Sequence, residues 1–120
     1  MTKDPIKCDV LIVGGGPAGL ALASTLPDDV KTVIVHQDKE IGLPIRTSGG
    51  SWLRDVERLG VPADMYHLVR RADAYADETE SEIKLGDETV VILDTPRVYK
   101  WLAAQSDHKD REILLATKFL

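Results

Sequence analysis

The sequence predicts an α/β fold: a parallel strand–helix–strand unit that carries a small antiparallel β insertion. Three observations point there. An apolar β-branched run at Val10–Val13 ends in glycines, an Ala- and Leu-rich stretch from Pro17 suits a helix, and a second β-branched run spans Lys31–His36. Strands buried in a parallel sheet read as continuous apolar runs, and parallel pairing needs a crossover of a dozen or more residues, which 9–36 supplies. Such a crossover is right-handed. At 120 residues the chain is one domain at most, and 43% hydrophobic with 29% charged excludes disordered and collagen-like classes. A net charge of −5 argues against a phosphate-tracking surface, and so against a general nucleic-acid binder.

The elements follow in order. Asp9–Val13 is read as a strand buried on both faces, and Pro17, well placed in a first helical turn, opens a helix to Leu26 that Pro27-Asp28-Asp29 stops. After the strand at Lys31–His36, the glycines and proline of Ile41–Gly50 make a loop. Trp52, Val56 and Leu59 then stand at helical spacing before Gly60. Residues 68–94 form a β-rich insertion with strands at Val69–Ala76, Ser81–Leu85 and Thr89–Leu93, the last two joined by a hairpin turn at Gly86-Asp87. Seven acids and one lysine between Asp73 and Glu88 read as the solvated face of that small sheet. Thr95 caps a helix with Pro96 in its first position, running to about Ser106, and Glu112–Thr117 is a last buried strand.

Other readings are negative or modest. Cys8 cannot form an internal disulfide and reads as a packing residue, while His36, His67 and His108 lie too far apart for a zinc spacing. A reduced, cytoplasmic chain is expected. The charge-free run Val10–Pro27 is split by Gly14–Pro17 into pieces too short for a signal-peptide core or a membrane span. Trp52 and Trp101 each lie on an apolar helical face and are expected in the core.

The informative motif is Gly14-x-Gly16-x-x-Gly19, directly after a strand and opening a helix. Gly14 lets the backbone turn out of the strand, Gly16 removes a Cβ so that a pyrophosphate can approach, and Gly19 lets helix and strand pack closely. The N–H groups and dipole of the helix start then attract the anion. Dinucleotide sites of this type place an acid about twenty residues on, for the ribose hydroxyls. Here that position holds His36, which can hydrogen-bond a hydroxyl without the charge assistance of a carboxylate; with Lys39 it could instead take a ribose phosphate. No Gly-Lys-Ser/Thr follows the glycines, which disfavours a P-loop nucleotidase.

Asp9–Gly19 resembles the FAD-binding signature of flavoproteins with the glutathione-reductase-type, Rossmann-like nucleotide fold. Glu40-Ile41-Gly42-Leu43-Pro44-Ile45-Arg46-Thr47-Ser48-Gly49-Gly50 is similar to the flavin-wrapping segment of geranylgeranyl reductases. Val91–Ala104 followed by Glu112–Phe119 resembles the segment where an Asp-Arg pair leads into an Ala-rich helix and the strand beneath the adenine. The three matches share one order and cover most of the chain. The resemblance implies pyrophosphate contacts at Gly14, Gly16, Ala18 and Gly19, a ribose contact at His36, and phosphate neutralisation by Arg46. It implies flavin-facing backbone at Thr47, Ser48 and Gly50, where the family has a cysteine that is absent here. Thr95 occupies the slot of a flavin-binding arginine with Arg97 two residues on, and Phe119 falls where a backbone group meets the adenine.

The same resemblance implies a flavin-dependent oxidoreductase acting on an isoprenoid or similar apolar substrate, with NAD(P)H or another donor reducing the FAD. Residues 1–120 are then the N-terminal part of an FAD/NAD(P)-binding domain, apparently truncated, without a ribityl-binding Gly-Asp motif or a substrate domain. Such a piece is expected to be inactive alone and to bind FAD weakly or not at all; a low-micromolar Kd would refute that. Two alternatives stay open: an NADP-binding module read by His36 and Lys39, and a non-catalytic remnant whose acidic sheet edge meets a protein partner.

Overall fold

The computed structural model describes residues 4–85 and 88–120. In chain order the elements are β1 (Val10–Val13), α1 (Pro17–Thr25), β2 (Thr32–Val35), β3 (Gly50–Trp52), α2 (Leu53–Arg58), a 3₁₀ turn (Ala63–Met65), β4 (Tyr66–Val69), β5 (Ala72–Ala76), β6 (Thr79–Ile83), β7 (Val90–Leu93), α3 (Thr95–Ala104) and β8 (Arg111–Leu114). They divide into two compact units, Met1–Ile45 with Tyr99–Leu120, and Arg46–Val98.

The first unit is the parallel α/β part. Its sheet has the order β1-β2-β8, with Val10–Val13 opposite Thr32–Val35 and these in turn opposite Arg111–Leu114. β2 is central, which explains why Thr32, Val33 and Ile34 are all buried. Ile12 of β1, Leu20 and Ala23 of α1, Ile34 of β2 and Ile41 form the core cluster, onto which Tyr99, Leu102 and Ala103 of α3 and Ile113 of β8 pack. Leu20 and Ala23 are three apart, so they share the inward face of α1. β1 departs from the expected burial on both faces: Ile12 is buried in the core with α1, while Leu11 and Val13, which alternate with it onto the opposite face, are 47% and 58% exposed. β8 is also shorter than expected. Ala116 takes a positive φ of 47° after it, and the chain turns there to bring the Ala116 N–H to the Asp38 carbonyl.

Within the second unit, β3-β7-β4 make an antiparallel sheet with β7 central, and β5 and β6 form a separate hairpin. The expected strand Val69–Ala76 is two strands, β4 and β5, which belong to different sheets. The expected hairpin between the last two strands is not formed, since β6 pairs with β5 while β7 pairs with β3 and β4; Gly86 and Asp87 lie outside the described residues. The two-residue turn lies instead at Asp77-Glu78, between the paired Ala76 and Thr79, with Asp77 at a φ of 49°. Aspartate tolerates that left-handed conformation better than most residues. Trp52 ends β3 rather than opening a buried helical face and is 41% exposed. Val56, Val61, Val91 and Val98 are the buried apolar residues of this unit.

Candidate functional site

The glycine turn joins β1 to α1. Gly14 leaves the strand with a φ of +107°, a conformation that side chains rarely adopt, and its N–H donates to the Val35 carbonyl at 2.8 Å. A Cβ on Gly19 would stand 2.3 Å from the Gly14 carbonyl oxygen and 2.9 Å from Ile12 Cγ2, so this glycine exists for helix–strand contact. A Cβ on Gly16 would meet nothing within 4 Å. Gly16 is also the residue that precedes α1, it offers no side-chain cap, and Pro17 follows it. The first N–H groups of α1 are therefore orphan donors beside an open main chain, which is the arrangement an anion needs. Ala18 is exposed in this first turn.

Gly15, which the spacing of the motif leaves out, is the buried member of the three. Its N–H donates to His36 Nδ1 at 3.1 Å, and an added Cβ would stand 2.7 Å from Ile41 Cδ1 and 3.1 Å from His36 Cγ. His36 is thus turned inward, its side chain only 13% exposed. Its second nitrogen, Nε2, is buried without a hydrogen-bond partner and lies 3.7 Å from Asp38 Oδ2. Where a ribose-binding carboxylate is expected, the structure places an imidazole whose two nitrogens face the turn and Asp38. The exposed neighbours Gln37, Lys39 and Glu40 line a groove of about 420 Å³ together with Asp38, Leu43 and Pro44, and Glu40 is ion-paired with Lys100. Phe119 is exposed.

In the second unit, Arg46, Thr47, Ser48 and Gly50 are exposed in the segment entering β3. The hydroxyls of Thr47 and Ser48 accept from the N–H groups of Gly49 and Gly50, both at 3.3 Å, which shapes the loop. Gly49 takes a φ of +75°, and its carbonyl accepts from the Leu93 N–H at 2.9 Å. Arg97 is exposed, and its guanidinium is tied to Asp64. It donates to the Asp64 carbonyl at 2.7 Å and to Asp64 Oδ2 at 2.8 Å, and this hydrogen-bonded pair holds the Asp64 carboxyl below the usual carboxylate range and raises Arg97. Thr95, the other candidate of this slot, is buried at the start of α3. Among the described residues no group of His, Cys, Asp and Glu could hold a metal ion, and no helix is long and apolar enough to cross a membrane.

Comparison with known proteins agrees with this geometry. Residues 7–105 match a family model described as an FAD binding domain. The chain is 29% identical over 122 aligned positions to the digeranylgeranylglycerophospholipid reductase of Methanothrix thermoacetophila, covering 96% of this chain and 31% of that protein. It is 38% identical over 68 positions to digeranylgeranylglycerophospholipid reductase 3 of Methanosphaera stadtmanae, covering 56% and 17%. Among solved structures, a geranylgeranyl bacteriochlorophyll reductase-like protein from Thermoplasma acidophilum superposes with a TM-score of 0.75 at 26% identity, over 94% of this chain and 31% of that one. A probable FAD-dependent monooxygenase from Pseudomonas aeruginosa shares the fold, with a TM-score of 0.66 at 19% identity over 91% of this chain and 33% of that one. The chain thus spans about a third or less of the length of these relatives. A family match over residues 7–105, on a strand–turn–helix whose Gly16 is open to an anion, establishes that the chain belongs to the FAD binding domain family.

Proposed function

We propose that the chain is the dinucleotide-holding portion of a flavin-dependent oxidoreductase of the geranylgeranyl reductase type, in a cytoplasmic setting, with NAD(P)H as electron donor and an isoprenoid or similar apolar chain as substrate. The observation that carries it is Gly16: open space where a Cβ would sit, beside uncapped N–H groups at the start of α1. The residues fit the FAD pyrophosphate. Gly14 and Gly16 would bring the main chain against it, and the N–H groups of Ala18 and Gly19 would add the positive end of the helix dipole. Arg46 would neutralise phosphate charge, and Thr47, Ser48, Gly50, Arg97 and the backbone at Phe119 are the further contacts that family likeness assigns.

When bound, FAD supplies two-electron transfer, and the protein's part is to hold, orient and shield it. Gly19 fixes the angle at which α1 leaves the sheet, so the N–H groups at its start keep one direction. The hydroxyl-to-amide bonds of Thr47 and Ser48 would restrict their loop and lower the entropy lost when a ligand is gripped. The NADP-module reading has less support. Neither nitrogen of His36 is presented to the groove, and two carboxylates, Asp38 and Glu40, line it beside Lys39 and would repel a ribose phosphate.

The test is flavin fluorescence of the purified chain titrated with FAD, alongside a Gly16→Ala variant. Saturable quenching in the wild type, weaker than in full-length relatives and abolished by the substitution, supports the reading. Equal saturable titrations for both proteins would overturn it.

A further inference from the structure

The position that closes the dinucleotide site, His36, is wired to the glycine turn in a way a carboxylate could not be. A hydrogen-bond acceptor at Nδ1 carries no proton there, so the ring that receives the Gly15 N–H at 3.1 Å is the neutral form with its proton on Nε2. That Nε2 is buried and faces Asp38 Oδ2 at 3.7 Å, a separation too long for a hydrogen bond and short enough for strong attraction to a cation. The backbone around the ring is pinned from both neighbours. Val35 accepts from Gly14, His36 donates to Leu114 at 2.9 Å and accepts from Thr117 at 2.9 Å, and the Asp38 carbonyl accepts from Ala116 at 2.8 Å. A Cβ on Gly15 would meet both Ile41 Cδ1 and the ring, so this residue has room only for a glycine. The proton state of Nδ1 therefore decides whether the Gly15 N–H keeps this partner.

We propose that His36 is a positioning residue for the pyrophosphate turn, working as a proton-operated latch with Asp38. With the ring neutral, Nδ1 holds the Gly15 N–H and keeps the turn shaped so that the open face of Gly16 and the start of α1 converge on an anion. A proton taken from solvent onto Nδ1 converts the acceptor into a donor. The Gly15 N–H is then opposed by another N–H, and the cationic ring is held by Asp38. The turn loses its tether and dinucleotide affinity falls.

The charged groups around the ring fit this reading. β1, α1 and the turn between them carry no titratable side chain, and neither does β2. On its own segment the ring has Asp38, then Lys39 and Glu40, both exposed, the latter paired with Lys100. From β8, Arg111 and Glu112 stand opposite Thr32 and Val33, toward the other end of β2, and Lys118 follows Thr117 on the surface. Asp38 is the charge placed against the imidazole.

This inference rests on the dinucleotide-binding reading, and the experiment separates the two. In the ligand-free chain, ¹⁵N NMR from pH 8 to 5 follows the His36 ring nitrogens and the exchange of the Gly15 amide relative to its intrinsic rate. The expected result is an Nε2–H tautomer at high pH and a loss of Gly15 protection of about tenfold, the worth of one hydrogen bond, in step with His36 protonation. In His36→Gln, whose amide oxygen accepts the same N–H without titrating, Gly15 protection should be flat across the range. FAD titrations at the same pH values should weaken about tenfold toward pH 5 in the wild type and not in His36→Gln. A wild-type Gly15 amide indifferent to His36 protonation, or a His36→Gln protein that keeps the wild-type pH dependence, overturns the latch. If His36→Gln fails to fold, the wild-type NMR series alone decides. Saturable FAD binding that Gly16→Ala leaves unchanged would overturn the dinucleotide reading and leave the NMR result to judge the latch.

Discussion

Two glycines of one motif should answer differently to the same methyl group. At Gly19 a Cβ would be 2.3 Å from the Gly14 carbonyl oxygen and 2.9 Å from Ile12 Cγ2. The first neighbour is backbone held by a positive-φ glycine, and the second is a core side chain, so neither can yield cheaply. Overpacking of this kind costs about 1–3 kcal/mol, and contact with main chain places Gly19→Ala in the upper part of that range. At Gly16 the added Cβ meets nothing within 4 Å, and a φ of −84° suits alanine. The cost there is roughly 0.5–1 kcal/mol, the difference between glycine and alanine at a helix N-cap. Urea denaturation followed by the fluorescence of Trp52 and Trp101 reads both. Gly19→Ala should lower the midpoint clearly with little change in slope, while Gly16→Ala should stay near wild type in stability and lose FAD binding. A Gly19→Ala protein as stable as wild type would refute the close-packing argument, and a Gly16→Ala protein as unstable as Gly19→Ala would refute the assignment of separate tasks.

Gly49→Ala, at a φ of +75° and with its Cβ 2.9 Å from the Leu93 carbonyl oxygen, should cost about 1–3 kcal/mol in the same assay, and a neutral result would contradict the strain described. Arg111 donates from Nε to the fully buried Ser106 hydroxyl at 3.0 Å and from its second amine to the Ala103 carbonyl at 2.6 Å. Arg111→Ala should therefore lose about 1–2 kcal/mol, and Arg111→Lys, which lacks the fork, should recover only part of it. Arg97 holds the Asp64 carboxyl below its ordinary value of 3.8, chiefly through their hydrogen bond, so the pair contributes stability that is complete above that value. That contribution is lost as pH falls through the lower folded-state value. The melting-temperature difference between wild type and Asp64→Asn should accordingly be constant near neutrality and shrink toward pH 3; a difference independent of pH would count against the ion pair.

The parallel half of the fold was legible because its strands are apolar runs and its glycines fall at fixed distances from them. Val10–Val13 and Thr32–Val35 could hardly be read otherwise, and Pro17 marked the helix start. The second unit was harder. β3 is three residues long and begins at a glycine, and Arg70-Arg71 interrupts what looks like one strand, so pairing partners could not be read from local pattern. The Gly86-Asp87 dipeptide is a strong turn signal by composition, yet the strands beside it pair elsewhere, a choice made by long-range contacts. The turn at Gly14, Gly16 and Gly19 was readable from spacing. The bond from the Gly15 N–H to His36 and the Asp38 carboxylate beside that ring were not, since both depend on where the ring lies. The triple glycine was the available hint: a third glycine that the motif does not require implies a second close approach.

β1 has consequences for the behaviour of the chain in bulk. Its backbone groups on the side away from β2 have no strand opposite them among the described residues, and Leu11 and Val13, on the sheet face opposite buried Ile12, keep about half their surface in water. An unpaired apolar edge is a template on which another extended segment can register, whether from a neighbouring molecule or an added peptide. Self-association through β1 should therefore grow with concentration, and a charged residue in place of Val13 should suppress it. Protein concentration becomes as much an experimental variable for this chain as pH or salt.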